Sequence, residues 1–179
     1  MLKKARLYGP WVFFLVCTAF FAAAAAQDES LEDFKYREDY NRVQSIVKIT
    51  DPVKRAERML TLYSERRDMK AELRDYADNI FARDLETLMK QNNYAPMKSL
   101  CQRALKIRPR FGEAYFFYGI ALKREKKTDE ALTAFARAYG IDNPLKAKAK
   151  QQLDITYRST GGTLASQEKF VKEAMKGLK

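Results

Sequence analysis

The stretch that decides the fold is Glu113-Ala-Tyr-Phe-Phe-Tyr-Gly-Ile-Ala-Leu, followed after six residues by Asp129-Glu-Ala-Leu-Thr-Ala-Phe-Ala-Arg-Ala-Tyr-Gly-Ile-Asp-Asn-Pro144. Tyr115, Tyr118, Gly119 and Leu122 recur at helical spacing on one face, and Ala131, Phe135 and Ala138 form a second stripe of the same period. Small residues inside both stripes, Gly119 on one and Ala131 and Ala138 on the other, allow two helix backbones to approach closely. The stretch therefore predicts an antiparallel helical pair.

The same template fits upstream. A shift of 34 residues brings it onto Phe81, Leu85 and Leu88, then Met97, Cys101 and Ala104, with Pro109 closing the unit. A further shift of 41 residues reaches Tyr40 and Val47, with Val43 one position out of register, and then Ala56, Leu60 and Tyr63. The glycine of the last unit is Leu85 in the second. This pattern resembles the tetratricopeptide repeat, a helical hairpin that stacks on its neighbours because one hairpin cannot cover its own apolar face. The resemblance covers about residues 37–144, in units of about 37–70, 78–110 and 112–144. It implies an all-α fold: a short right-handed α-α solenoid of about three hairpins, with the basic segment 145–179 supplying C-terminal capping helices.

Helix punctuation supports an all-α chain. Asp51-Pro52 and Asn143-Pro144 each place a capping side chain before a proline suited to the first turn, Thr128-Asp-Glu-Ala opens another helix, and Gly161-Gly162 ends one. Eight helices are expected: Phe34 to Lys48, Pro52 to Ser64, Met69 to Gln91, Pro96 to Ile107, Phe111 to Arg124, Asp129 to Tyr139, Leu145 to Arg158 and Ser166 to Leu178. In the seventh, Leu145, Ala149, Leu153 and Tyr157 form a stripe that can cover the last hairpin. In the eighth, Phe170, Val171, Ala174, Met175 and Leu178 line one side of a basic helix. That stripe either folds back on the cap or meets a membrane surface or partner.

The N-terminus reads as a leader. Lys3, Lys4 and Arg6 precede an apolar run from Trp11 to Phe21, which gives way to Ala22 through Ala26. A basic start, a short apolar core and small residues at the end make residues 1–26 a secretory signal peptide, with cleavage after Ala24 or Ala26. The style of leader points to a bacterial periplasm. The rival expectation is an uncleaved anchor in the inner membrane, since Leu7 to Ala26 has about the length a bilayer requires. Loss of Lys3, Lys4 and Arg6 takes the formal charge from +11 to +8. An acidic segment at 27–36 then precedes the repeats, and lysines crowd the C-terminal end. For an exported chain this charge points to anionic lipid, wall polymer or acidic protein, and nucleic acid is not expected.

Chemistry is sparsely provided. The chain has no histidine, which removes the usual general base and the usual zinc ligand together. Asp75, Asp78, Asp84 and Glu86 lie close together, but Arg74, Arg83 and Lys90 interleave with them at the spacing of ordinary helix ion pairs. Cys101 stands at a core position of its stripe. The expectation is a protein that is not an enzyme and carries no cofactor and no metal.

Function is then expected in the surface the repeats present. In tetratricopeptide proteins the concave face is lined by first-helix residues turned away from their own second helix. The matching positions are Asn41, Ser45, Lys48 and Ile49, then Ala82, Glu86, Met89 and Lys90, then Phe116, Ile120, Lys123 and Arg124. Phe116 and Ile120 form an apolar anchor flanked by Lys123, Arg124, Met89 and Lys90, suited to a protein or peptide segment, unless the C-terminal helices fold over it. Phe116, Phe117 and Ile120 depart from the lysines and asparagines with which family members hold chaperone tails. The expected role is an exported protein–protein interaction scaffold of the cell envelope. The alternative is a peripheral envelope module whose basic C-terminal helices hold anionic lipid or wall polymer.

Overall fold

The computed structural model describes residues 31–178, and the leader expected at 1–26 lies outside them. Every regular element among the described residues is an α-helix: α1 Leu31–Val47, α2 Pro52–Glu65, α3 Ala71–Lys90, α4 Tyr94–Ile107, α5 Gly112–Arg124, α6 Thr128–Gly140, α7 Lys146–Ser159 and α8 Leu164–Lys176. None is long and apolar enough to cross a membrane. The chain divides into two units at Glu38. Of the first, the opening turns of α1 carry exposed Leu31 and Phe34, with the Arg37 guanidinium 5.9 Å from the Phe34 ring. The second unit holds the core.

Helix ends follow local chemistry. The Asp51 carboxylate accepts the Lys54 amide at 2.8 Å and Pro52 takes the first helical position, as the sequence predicts. α4 begins at Tyr94, two residues before Pro96, because a proline in the first turn removes an amide that has no intrahelical acceptor. Asn143 does not cap α7. Its side-chain oxygen accepts the Leu145 amide at 2.9 Å, while its amide nitrogen donates to the carbonyls of Ala138 and Ile141 at 2.7 and 2.8 Å, so it staples the turn between α6 and α7. Thr128 is the first residue of α6 rather than its cap, and the α8 start is capped by Thr163, whose hydroxyl accepts the Ser166 amide.

Within the second unit each helix from α2 to α6 packs on the next, and α6 also packs on α7; α2 also meets α4, α3 meets α5, and α6 meets α8. Geometry recurs at 34 residues. α3 ends at Lys90 and α5 at Arg124, α4 starts at Tyr94 and α6 at Thr128, and α5 starts at Gly112 and α7 at Lys146. The backbone repeats with them: Asn92 and Lys126 are both left-handed, at φ 57° and 60°. Beside them, the Asn93 amide donates to the Leu88 carbonyl at 2.8 Å and the Lys127 amide to that of Leu122 at 3.0 Å. Both are helix ends closed by a left-handed residue and a six-to-one hydrogen bond.

α5 and α6 approach closely at Gly119. A Cβ on Gly119 would stand 2.6 Å from the Phe135 ring, and Phe135, Ala131 and Ala138 are fully buried. At the start of α5, Gly112 leaves room for the Asn143 side chain. Two carboxylates that the sequence assigns to ordinary surface pairs along α3 instead reach other helices. Asp84, with no exposure, is held by Arg55 of α2, whose Nε lies 2.9 and 3.0 Å from its two oxygens and whose Nη1 donates to the Ile49 carbonyl at 2.6 Å. Burial raises the Asp84 carboxyl while Arg55 opposes, and the contact with Asp84 raises Arg55 in turn. Asp78 takes both guanidinium nitrogens of Arg108, one of them at 2.8 Å, and accepts the Tyr63 hydroxyl at 2.7 Å. The Arg108 guanidinium lies over the Phe111 and Tyr63 rings at 4.5 and 5.0 Å. Only Glu86 and Lys90 form the expected pair along the helix, at 3.1 Å. At Asp78 an arginine from the turn after α4 is favoured because its planar fork and face satisfy a carboxylate and two rings at once.

The two last helices fold back. Ala149 and Leu153 are fully buried, Leu145 and Tyr157 pack beside them, and Tyr157 meets Phe170 at 5.5 Å. Phe170, Val171, Ala174, Met175 and Leu178 pack on the core, with Met175 against Gly140, and Arg137 Nε donates to the Ala174 carbonyl at 3.0 Å near the C-terminal end of α8. The apolar stripe of α8 is thus occupied within the chain, leaving Lys169, Lys172 and Lys176 exposed.

Two outcomes are expected in equilibrium denaturation. Gly119→Leu and Ala131→Leu should each destabilise by about 1–3 kcal/mol, since methylenes would be forced into a filled contact; unchanged midpoints would remove the close-packed pair. Asp78→Ala should cost about 2–4 kcal/mol, because it leaves Arg108 without its partner between two rings, and a loss below about 0.5 kcal/mol, typical of surface sites, would contradict that assignment.

Candidate functional site

Two concavities meet on the face formed by α3, α5 and α7. The first, of about 420 Å³, is lined from α3 by Tyr76, Asn79, Ala82, Arg83, Glu86 and Met89. Glu113, Phe116 and Phe117 of α5 and Pro144, Leu145 and Lys148 at the start of α7 complete it. The second, of about 630 Å³, is lined by Met89, Asn92, Tyr94, Ile120, Lys123, Arg124 and Gln152. Met89 belongs to both, so the two join at the end of α3. A third, polar concavity of about 470 Å³ shares Asn79, Glu113 and Pro144 with the first and adds Asp75, Asp78, Arg108, Arg110 and Asp142.

Five of the six residues expected from the sequence stand on this face. Met89 links the concavities, Phe116 lies in the first, and Ile120, Lys123 and Arg124 lie in the second. Lys90 lines neither and is held by Glu86. Phe116 is only 7% exposed, with its ring 5.2 Å from Phe117 and 6.2 Å from Phe135, so it is the floor of the site and part of the core. Ile120 and Met89 are half-buried and present the accessible apolar surface. Among the described side chains, none from α8 lines either concavity. From α1 and the turn after it, Ser45 and Ile49 line a separate concavity of about 330 Å³ that is also lined by residues of α2.

The sequence reading began the α5 strip at Phe116 and so missed Glu113, one turn earlier on the same side. Glu113 is 8% exposed; its carboxylate accepts its own backbone amide, and no basic side chain forms an ion pair with it among the described residues. Burial pushes its carboxyl above the ordinary glutamate range, Asp78 and Asp75 add to the effect, and Arg108, committed to Asp78, opposes it. Spacing on one strip was enough to find this residue. Asn92 comes from the turn after α3, Tyr94 from the start of α4 and Gln152 from α7, positions that a rule restricted to the first helices of three repeats cannot supply.

At the other end, the Lys123 ammonium donates to the Gln152 side-chain oxygen at 3.2 Å, and Arg124 lies over the Tyr94 ring at 5.1 Å. Cys101 is fully buried, and burial pushes its thiol far above the ordinary range, so it is an inert core group. Among the described residues, no group of three or more histidine, cysteine or carboxylate side chains could hold a metal ion. Comparison with protein-family models, curated proteins and solved structures finds no match for this chain.

The unpaired carboxylate generates a pH prediction. Its pKa is raised in the folded state, so the folded protein binds this proton more tightly than the unfolded chain does, and stability gained from it fades as pH rises through the folded value. Glu113→Gln should therefore melt above the wild type at neutral pH, and the difference should shrink as pH falls into the ordinary glutamate range. A variant less stable than wild type at pH 7 would show that the charge has a partner.

Proposed function

We propose that this protein is an exported, non-enzymatic scaffold of the bacterial envelope that binds a protein segment along the face of α3, α5 and α7. On this reading the helices form a short right-handed solenoid of tetratricopeptide-like hairpins: α1 with α2, α3 with α4, and α5 with α6. The 34-residue recurrence of helix ends and of the left-handed Asn92 and Lys126 supports the second and third of these hairpins. The recurrence runs on from Gly112 to Lys146, which makes α7 and α8 a fourth, terminal hairpin serving as the cap.

The observation that carries the reading is that Met89 is shared by the two concavities, giving one apolar path from Phe116 to Ile120 with cations at its end. Apolar surface in a concave strip is where binding energy concentrates, and flanking charge governs encounter and orientation. The basic lysines of α8 favour a second, weaker reading as an anionic-surface module, acting by charge alone because its apolar stripe is buried against the core.

Ile120→Ala combined with Met89→Ala should lower capture of the partner by about tenfold or more, with little change in melting, since both side chains are half-buried. Lys123→Glu should slow association, an effect that fades as salt rises. Phe116→Ala is the wrong probe, because emptying a core position should cost about 3 kcal/mol or more of stability. Undiminished capture by the first variant, together with loss on replacing Lys169 and Lys172, would move the binding surface to α8.

A further inference from the structure

The strip on α5 changes character along its length. Glu113 comes first, then Phe116 and Ile120, then Lys123 and Arg124. At the first end, Asp75 and Asp142 line the polar concavity with Glu113, together with Arg110 and with Arg108, which is already bonded through two guanidinium nitrogens to Asp78. At the far end the polar groups offer hydrogens. The Tyr94 hydroxyl donates to the Asn92 side-chain oxygen at 3.2 Å, and the Lys123 ammonium donates to that of Gln152, so each amide has its oxygen engaged and its NH2 group left to donate. Arg124 rests on Tyr94, and no carboxylate pairs with it among the described residues. Neighbouring acids are committed elsewhere: Glu125 to Lys98 and Lys127, and Glu86 to Lys90.

We propose that this groove selects a segment carrying one cationic and one anionic side chain on either side of an apolar one. The cation pairs with Glu113, the apolar side chain lies on Met89 and Ile120, and the carboxylate meets Lys123 and Arg124. The inference rests on the segment-binding role proposed above and specifies its ligand. A buried carboxylate without a counter-ion is a standing cost to the fold, and an occupant that brings the counter-ion removes it. The helix rises about 15 Å from Glu113 to Lys123, which matches about four or five residues of extended chain.

Fluorescence anisotropy on the full mature chain tests this with three labelled, end-blocked peptides: Lys-Ala-Leu-Leu-Ala-Glu and its counterparts with lysine at both ends or glutamate at both ends. The mixed peptide should bind about tenfold tighter than either counterpart. Glu113→Gln should abolish its advantage over the glutamate peptide. Lys123→Glu with Arg124→Glu, both at exposed positions, should shift preference to the lysine peptide, and a thermal melt checks that each variant is folded. Equal binding of all three to the wild type, or preferences unchanged in both variants, would overturn the inference. Binding that ignores charge but is lost in Ile120→Asp would overturn it and leave the groove standing, whereas no binding by any peptide would overturn both.

Discussion

Arg108 and Asp78 form the contact on which the rest of the molecule depends. Asp78 comes from the middle of α3 and Arg108 from the turn between α4 and α5. Tyr63, at the end of α2, donates to the same carboxylate. The guanidinium lies over Tyr63 and Phe111, and those rings pack with Phe81 at 5.6 to 6.2 Å. One ion pair thus locks two helices and a turn around a small aromatic core. It works because the arginine is satisfied on its edge by carboxylate and on its face by rings, which offsets the loss of hydration for both charges. The Tyr63 hydroxyl is correspondingly held far from ionisation by burial and by Asp78.

That pair also shapes the groove. Because Arg108 is committed to Asp78, Glu113 in the first turn of α5 is left buried and without a counter-ion, at the junction of two concavities. Folding alone would favour a neutral residue there. A position where the fold accepts a cost in return for an available charge is the kind of site at which stability and function are exchanged. The same logic separates Phe116 from Ile120. They are neighbours on one strip, yet Phe116 has been taken into the core by Phe117 and Phe135 while Ile120 stays half open.

How much was legible in the sequence follows from which interactions are local. Stripes of period 3.6, the Asp51-Pro52 start and the small residues Gly119, Ala131 and Ala138 are short-range signals, and eight helices with nearly the expected bounds followed from them. The misplaced starts of α4 and α8 arose where a first-turn proline was read as a boundary and where the capping role of Thr163 was overlooked. Asp78 and Asp84 were misread because their arginines lie 30 and 29 residues away, so the pairing depends on the packing of helices and not on spacing along one. The five groove residues found from the sequence share a strip rule. Asn92, Tyr94 and Gln152 escaped because they enter from a turn, from the start of α4 and from α7.

The account stands or falls on whether the partner lies against the open part of that strip. A photoreactive amino acid placed at Ile120 in the full chain, expressed in intact cells, reports this directly, with the same probe at Lys172 on α8 as the comparison. Illumination should join Ile120 to one discrete polypeptide and leave Lys172 uncrosslinked. A crosslink formed at Lys172 and absent at Ile120 would contradict the groove and place binding on the basic C-terminal helix.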